Sequence, residues 1–99
     1  MGTEGLDTLI HAPNRLAICA FLAPLDDAEF QVLREALGVS DSVLSKHVAR
    51  LQEAGYLAID KRRGIGRPRT WLSLTRRGRT AYTRHVAALR ALIDATATA

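Results

Sequence analysis

The side chains best equipped for chemistry in this sequence are cationic, and the chemistry open to them is the recognition of anions. Gly66-Arg67-Pro68-Arg69 sets two guanidinium groups either side of a proline. The proline fixes φ and keeps the backbone from coiling around them. A flat, extended segment of this kind fits a narrow DNA minor groove, where the negative potential attracts arginine. Arg62 and Arg63, just upstream, suit flanking phosphates. From Lys61 to Arg90 there are ten Lys or Arg residues plus His85, and the only acid after Asp60 is Asp94. Such a stretch draws in polyanions, although a charge run by itself also reads as a solvated surface.

A second set of polar residues opens a helical pattern. Ser40 is a good N-cap, and Asp41 suits the positive helix start. Leu44, Val48 and Leu51 recur at helical spacing and belong to a packed face. Asp41, Ser42, Val43, Ser45 and Lys46 then fall on the exposed N-terminal half, with Arg50 one turn on. A helix that fills a major groove needs this division. Ser42 and Ser45 can bond base edges or phosphate, and Val43 can touch a thymine methyl. Lys46 suits guanine or phosphate, and Arg50 suits a phosphate clamp. Asp41 repels phosphate, so it either caps the helix or accepts from cytosine. An amphipathic helix with a merely solvated face is the alternative reading.

Other chemistries lack their residues. There is no nucleophile elbow, no phosphate-binding Gly loop and no Cys/His/carboxylate cluster, so no enzyme is expected. Cys19 is the single cysteine, which rules out an internal disulfide and a multi-thiolate zinc site. It reads as buried filler. His11, His47 and His85 show no metal-ligand spacing, so neither metal nor cofactor is expected. A chain of 99 residues, 47% hydrophobic and 24% charged with net charge +4, is one small globular domain. No stretch approaches the roughly 20 apolar residues of a membrane span, and Met1 to Gly5 lacks the basic start of a signal peptide. A cytoplasmic protein is expected.

These residues need elements to hold them. Leu6, Leu9 and Ile10 suggest a short helix from about Thr3 to His11, interrupted by Pro13. A nearly all-apolar helix follows over 14–22, and Pro24 marks its end. Phe30 to Leu37 forms a third helix, stopped by a left-handed Gly38. The fourth runs from Ser40 toward Gly55. Alternation at Leu57 and Ile59, and again at Leu72 and Leu74, predicts two strands around the basic Gly/Pro loop. Thr75 caps a last helix reaching about Asp94, and Ala95 to Ala99 is a tail expected to fray. Arg76 and Arg77 sit against the helix dipole there, a placement easier to understand if a phosphate lies near. Two helices joined by a tight Gly turn and followed by a hairpin make the winged form of helix-turn-helix. The fold class is thus mainly α with a small β-hairpin wing.

The blocks Leu9-Ile10-His11-Ala12-Pro13-Asn14-Arg15-Leu16-Ala17-Ile18, Leu37-Gly38-Val39-Ser40-Asp41-Ser42-Val43-Leu44-Ser45-Lys46-His47, Leu51-Gln52-Glu53-Ala54-Gly55-Tyr56-Leu57 and Leu72-Ser73-Leu74-Thr75-Arg76-Arg77-Gly78-Arg79 come in this order. Together they resemble the small winged-helix transcriptional regulators related to the MarR and ArsR families. That resemblance implies a symmetric dimer held by terminal helices, a recognition helix in the major groove and a wing on the adjacent backbone or minor groove. It transfers no effector, although an unidentified small molecule remains a candidate partner. The ArsR-like Cys-x-Val-Cys metal motif is absent from the third helix.

The domain is read as a single unit over 1–99, with a winged-helix core over 14–75 and dimerisation helices over 3–11 and 76–94. Tyr82, Val86, Leu89, Leu92 and Ile93 are too apolar for a lone exposed helix. With Leu6, Leu9 and Ile10 they are assigned to a two-fold interface. The function expected is that of a sequence-specific regulator of double-stranded DNA, a repressor, bound as a homodimer to a near-palindromic operator. A winged helix for RNA or protein contact is the alternative.

Overall fold

The computed structural model describes residues 5–62 and 66–97. Its order is α1 (Thr8–His11), α2 (Pro13–Leu22), β1 (Ala28–Glu29), α3 (Phe30–Leu37), α4 (Asp41–Glu53), β2 (Leu57–Arg62), β3 (Arg69–Leu74) and α5 (Arg76–Ala97). The mainly helical architecture with a basic hairpin agrees with the sequence reading.

The N-terminal helix is shorter than expected. Asp7 is its N-cap, and the Oδ1 atom accepts from the amides of Leu9 (2.9 Å) and Ile10 (3.1 Å). An Asp in this position starts a helix better than any residue before it, so residues 5–7 stay outside. Thr3 lies outside the described residues. Pro13 does not merely interrupt: it occupies the first turn of α2, where its missing N–H is no loss. At the other terminus Ala95 to Ala97 continue α5, with Thr96 Oγ1 donating to the carbonyl of Ile93 (2.8 Å).

Between α3 and α4 the chain turns as the residues dictate. Gly38 adopts φ 65°, ψ 34°, a left-handed conformation that costs a side-chain-bearing residue about 1–2 kcal/mol. Ser40 Oγ then accepts from the amide of Val43 (3.2 Å). The two helices bury Leu33 and Leu44, Val48 and Leu51 against Ile18, Cys19 and Leu22 of α2, and Leu57, Leu72 and Leu74 complete this core. Burial pushes the Cys19 thiol up to about 11, with the Asp7 charge adding to it. A thiol so held is a small apolar filler.

The sheet has three strands, not two, in the order β1-β3-β2 and antiparallel throughout. Ala28 pairs with Leu72 and Glu29 with Trp71. In the hairpin Leu57 faces Leu74 at the base and Arg62 faces Arg69 toward the tip.

Candidate nucleic-acid interface

The recognition surface rests on a coincidence of lengths. Thirteen residues of α4 rise about 20 Å. After the turn at Gly55, six residues of β2 travel back roughly the same 20 Å. The two lengths match, so a hairpin lying alongside α4 spans the helix. Ser45, Ala49 and Gln52 of α4 share a groove of about 310 Å³ with Ile59, Lys61 and Thr70 of the sheet. A second groove, about 550 Å³, runs between Glu29, Phe30 and Gln31 and the returning wing segment from Gly66 to Thr70.

On α4 the two faces separate as the spacing required. Leu44, Val48 and Leu51 are buried, while Asp41, Ser42, Val43, Ser45, Lys46 and Arg50 are exposed. Ser40 is exposed too, but its hydroxyl is spent within the helix, accepting from Val43 and lying 3.2 Å from Ser42 Oγ. Asp41 is paired with Arg34 (2.9 Å), so its charge is countered on the protein side. Behind the helix, His47 Nδ1 accepts from Arg15 (3.2 Å), and Asn14 stands 3.4 Å from Nε2. Burial lowers the His47 pKa, and the charges of Arg15, Lys46 and Arg50 lower it further. The ring stays neutral, and the arginine of α2 joins the positive field of α4. Neither Asn14 nor Arg15 was singled out from sequence, because nothing in the spacing ties them to a residue 32 positions away.

The wing arginines differ from one another. Arg62 is ion-paired with Asp27 (2.6 Å) and Asp60 (2.9 Å), and its guanidinium lies 4.7 Å from the Trp71 ring. Arg69 faces Glu29 at 3.3 Å. Arg67 is exposed and forms no ion pair among the described residues. Arg63 lies outside the described residues. Arg79 is structural: it donates to the carbonyls of Ala23 (2.6 Å) and Leu25 (2.8 Å), tying α5 to the chain leaving α2.

Arg76 and Arg77 start α5 beside Tyr56 and Gly55, at the hairpin base, roughly 20 Å from the wing tip. One sequence expectation changes. Ile10 is fully buried in the subunit's own core, so it has no surface to offer a second copy. Leu9 and Tyr82 also pack partly on that core, and Leu6 is half-buried. Val86, Leu89 and Leu92 are half-buried, and Ile93 is 55% exposed. Among the described residues no three His, Cys, Asp or Glu side chains converge as a metal site, and no helix is long and apolar enough to cross a membrane.

Residues 14–93 match the family model described as a winged helix DNA-binding domain. Over 72 residues the chain is 33% identical to the uncharacterized protein MJ0432 of Methanocaldococcus jannaschii, a stretch that is 73% of this chain and 78% of that one. A transcriptional regulator homologue from Pyrococcus horikoshii OT3 superposes with a TM-score of 0.84 at 30% identity, covering 89% of this chain and 87% of its own. The heme sensor protein PefR from Streptococcus agalactiae, solved with heme, is 26% identical with a TM-score of 0.76. The match covers 90% of this chain and 62% of PefR.

Proposed function

Because the chain belongs to the winged helix DNA-binding domain family, we propose that it binds double-stranded DNA in a sequence-specific way and represses transcription from the bound site. The observation that supports this most is that Ser42, Val43, Ser45, Lys46 and Arg50 are exposed on α4, and Ser45 shares a groove with Lys61 and Thr70 of the hairpin that carries exposed Arg67. The α4 side chains read base edges in the major groove, and Arg67 enters the neighbouring minor groove. Arg62 and Arg69 reach phosphates by exchanging their carboxylate partners for the backbone. No catalytic step is assigned, and the cytoplasm is the compartment proposed.

The DNA-binding unit is a homodimer in this reading. Its α5 helices meet through Val86, Leu89 and Ile93, with Tyr82 and Leu92 at the edges. Two recognition helices then span half-sites one helical turn apart on a near-palindromic operator. A small-molecule effector of unidentified chemistry is a further proposed partner, by analogy with PefR and its heme.

Selection of bound fragments from a genomic library, followed by titration of the enriched duplex, tests the reading. A near-palindromic consensus and a steep fall of log affinity with log salt are expected. Fragments without a consensus, a flat salt dependence, or RNA competing as well as duplex DNA would refute it.

A further inference from the structure

The hairpin base carries the chain's other cationic cluster. Arg76, Arg77 and Arg84 are exposed, and with Tyr56, Thr80 and Ala81 they line a cleft of about 620 Å³. Tyr56, Ala81 and Arg84 also line a smaller lobe of about 220 Å³, walled by Gly5, Leu6 and Asp7. The shared residues make the lobes adjoin.

None of the three arginines forms an ion pair among the described residues, whereas Arg34, Arg62 and Arg69 do. Arg76 and Arg77 stand in the first turn of α5, where positive charge opposes the helix dipole. Among the described residues the Arg77 guanidinium alone of the three gains a partner, the Tyr56 ring at 6.0 Å. Three guanidiniums around one cleft, without a carboxylate partner among the described residues, are suited to an anion of higher charge than a carboxylate.

We propose that this cleft binds a small phosphate-bearing molecule. Its phosphoryl group sits between Arg76, Arg77 and Arg84, with the Thr80 hydroxyl as a further donor. The planar fork of each guanidinium matches the spacing of phosphate oxygens. The organic part lies over Leu6 and Ala81 in the smaller lobe. Asp7 fixes the direction of entry. Its carboxylate already accepts from Leu9, Ile10 and the Tyr56 hydroxyl (2.7 Å), and its charge turns a phosphoryl group away from that lobe.

Calorimetric titration of the full chain at constant ionic strength, with inorganic phosphate, glycerol 3-phosphate and glycerol as probes, tests the proposal. One saturable site per chain is expected for both phosphates, tighter for the ester, with no binding of glycerol. Arg76→Gln and Arg84→Gln each weaken binding by about tenfold or more, and Arg67→Gln leaves it unchanged. Melting temperatures equal to that of the parent chain establish that the variants are folded. No saturation below about 10 mM, an ester no tighter than phosphate, or an equal loss in Arg67→Gln overturns it. DNA binding by the same proteins is a separate readout, so failure of the operator reading leaves this site standing.

Discussion

Gly78 lies against the backbone of Tyr56. A Cβ built on Gly78 would collide with the Tyr56 carbonyl oxygen and sit 2.8 Å from its carbon. That carbonyl also accepts from the Thr75 amide (3.0 Å), while Thr75 Oγ1 donates to the Gly55 carbonyl (2.6 Å) and accepts from the Gly78 amide (2.9 Å). The base of the hairpin and the start of α5 are thereby locked to the end of α4.

In an ordinary helix interior, replacing Gly with Ala stabilises by about 1 kcal/mol. Here the sign reverses. Gly78→Ala is expected to destabilise by about 1–3 kcal/mol, because the added methyl meets backbone that cannot swing aside. Urea denaturation of the two proteins decides it. A midpoint equal to or above that of the parent would show that the close approach does not exist.

Much of this was legible before any coordinates. The Gly38 cap, the Ser40 start and the apolar spacing at Leu44, Val48 and Leu51 are local signals, and local structure obeyed them. What was hidden depends on distance along the chain. Arg62 and Arg69 looked free, yet their acidic partners Asp27 and Glu29 lie 35 and 40 residues earlier, just before and within a two-residue strand too short to show a period. His85 carries no local signal of burial, because the amide that its Nδ1 accepts from belongs to Asp7, 78 residues away. The early boundary of α1 failed because an Asp cap outweighed a weak run of leucines.

The ion-paired wing yields a prediction of its own. Asp27→Asn leaves Arg62 held by Asp60 alone and removes a carboxylate that repels phosphate, so DNA affinity should rise and the salt slope should steepen by up to about one. Arg67→Ala should flatten the slope by about one and cost more affinity on AT-rich than on GC-rich flanks. Anisotropy titrations over a salt series measure both. Equal losses on the two flanks would reject minor-groove readout, and an unchanged affinity in Asp27→Asn would reject the exchange of partners.

His85 gives the fold an acid limit. It is fully buried, and Nδ1 accepts from the Asp7 amide (3.0 Å) while Nε2 lies 3.3 Å from His11 Nδ1. Burial, and then His11, hold its pKa below 6.5 against the opposing pull of the Asp7 carboxylate. The unfolded chain therefore takes up this proton more readily than the native one. The stabilisation is complete above the unfolded pKa and is lost as pH falls through the folded value. His47, lowered likewise, adds to the same slope. The melting temperature should stay level between about pH 7 and 8 and fall below about 6.5. His85→Asn keeps an acceptor for Asp7 without titrating, so its slope should be shallower. A slope identical to the parent's would remove His85 from the account.

In the proposed homodimer the arrangement of the two recognition surfaces depends on α5. The longest extent of the structure is 57 Å against 26 and 21 Å, as expected when a 22-residue helix runs past the body it starts from. Along that helix Val86, Leu89 and Ile93 follow one another at three- and four-residue spacing, and the last is 55% exposed. Water on such a stripe is unfavourable by about 25 cal/mol for each Å² of apolar surface left uncovered, and a second α5 lying antiparallel would cover it. Ile93→Asp should therefore raise the dimer dissociation constant by roughly thirtyfold or more, because a central apolar contact is replaced by a charge. Ala87→Asp, about 120° around the helix, should leave it unchanged. Sedimentation equilibrium separates the outcomes, and binding to one half-site against two reports the effect on DNA. A parent chain that sediments as a monomer at the concentrations used for DNA titration, or an Ala87→Asp variant as damaged as Ile93→Asp, would remove α5 as the seam and with it the expected half-site spacing.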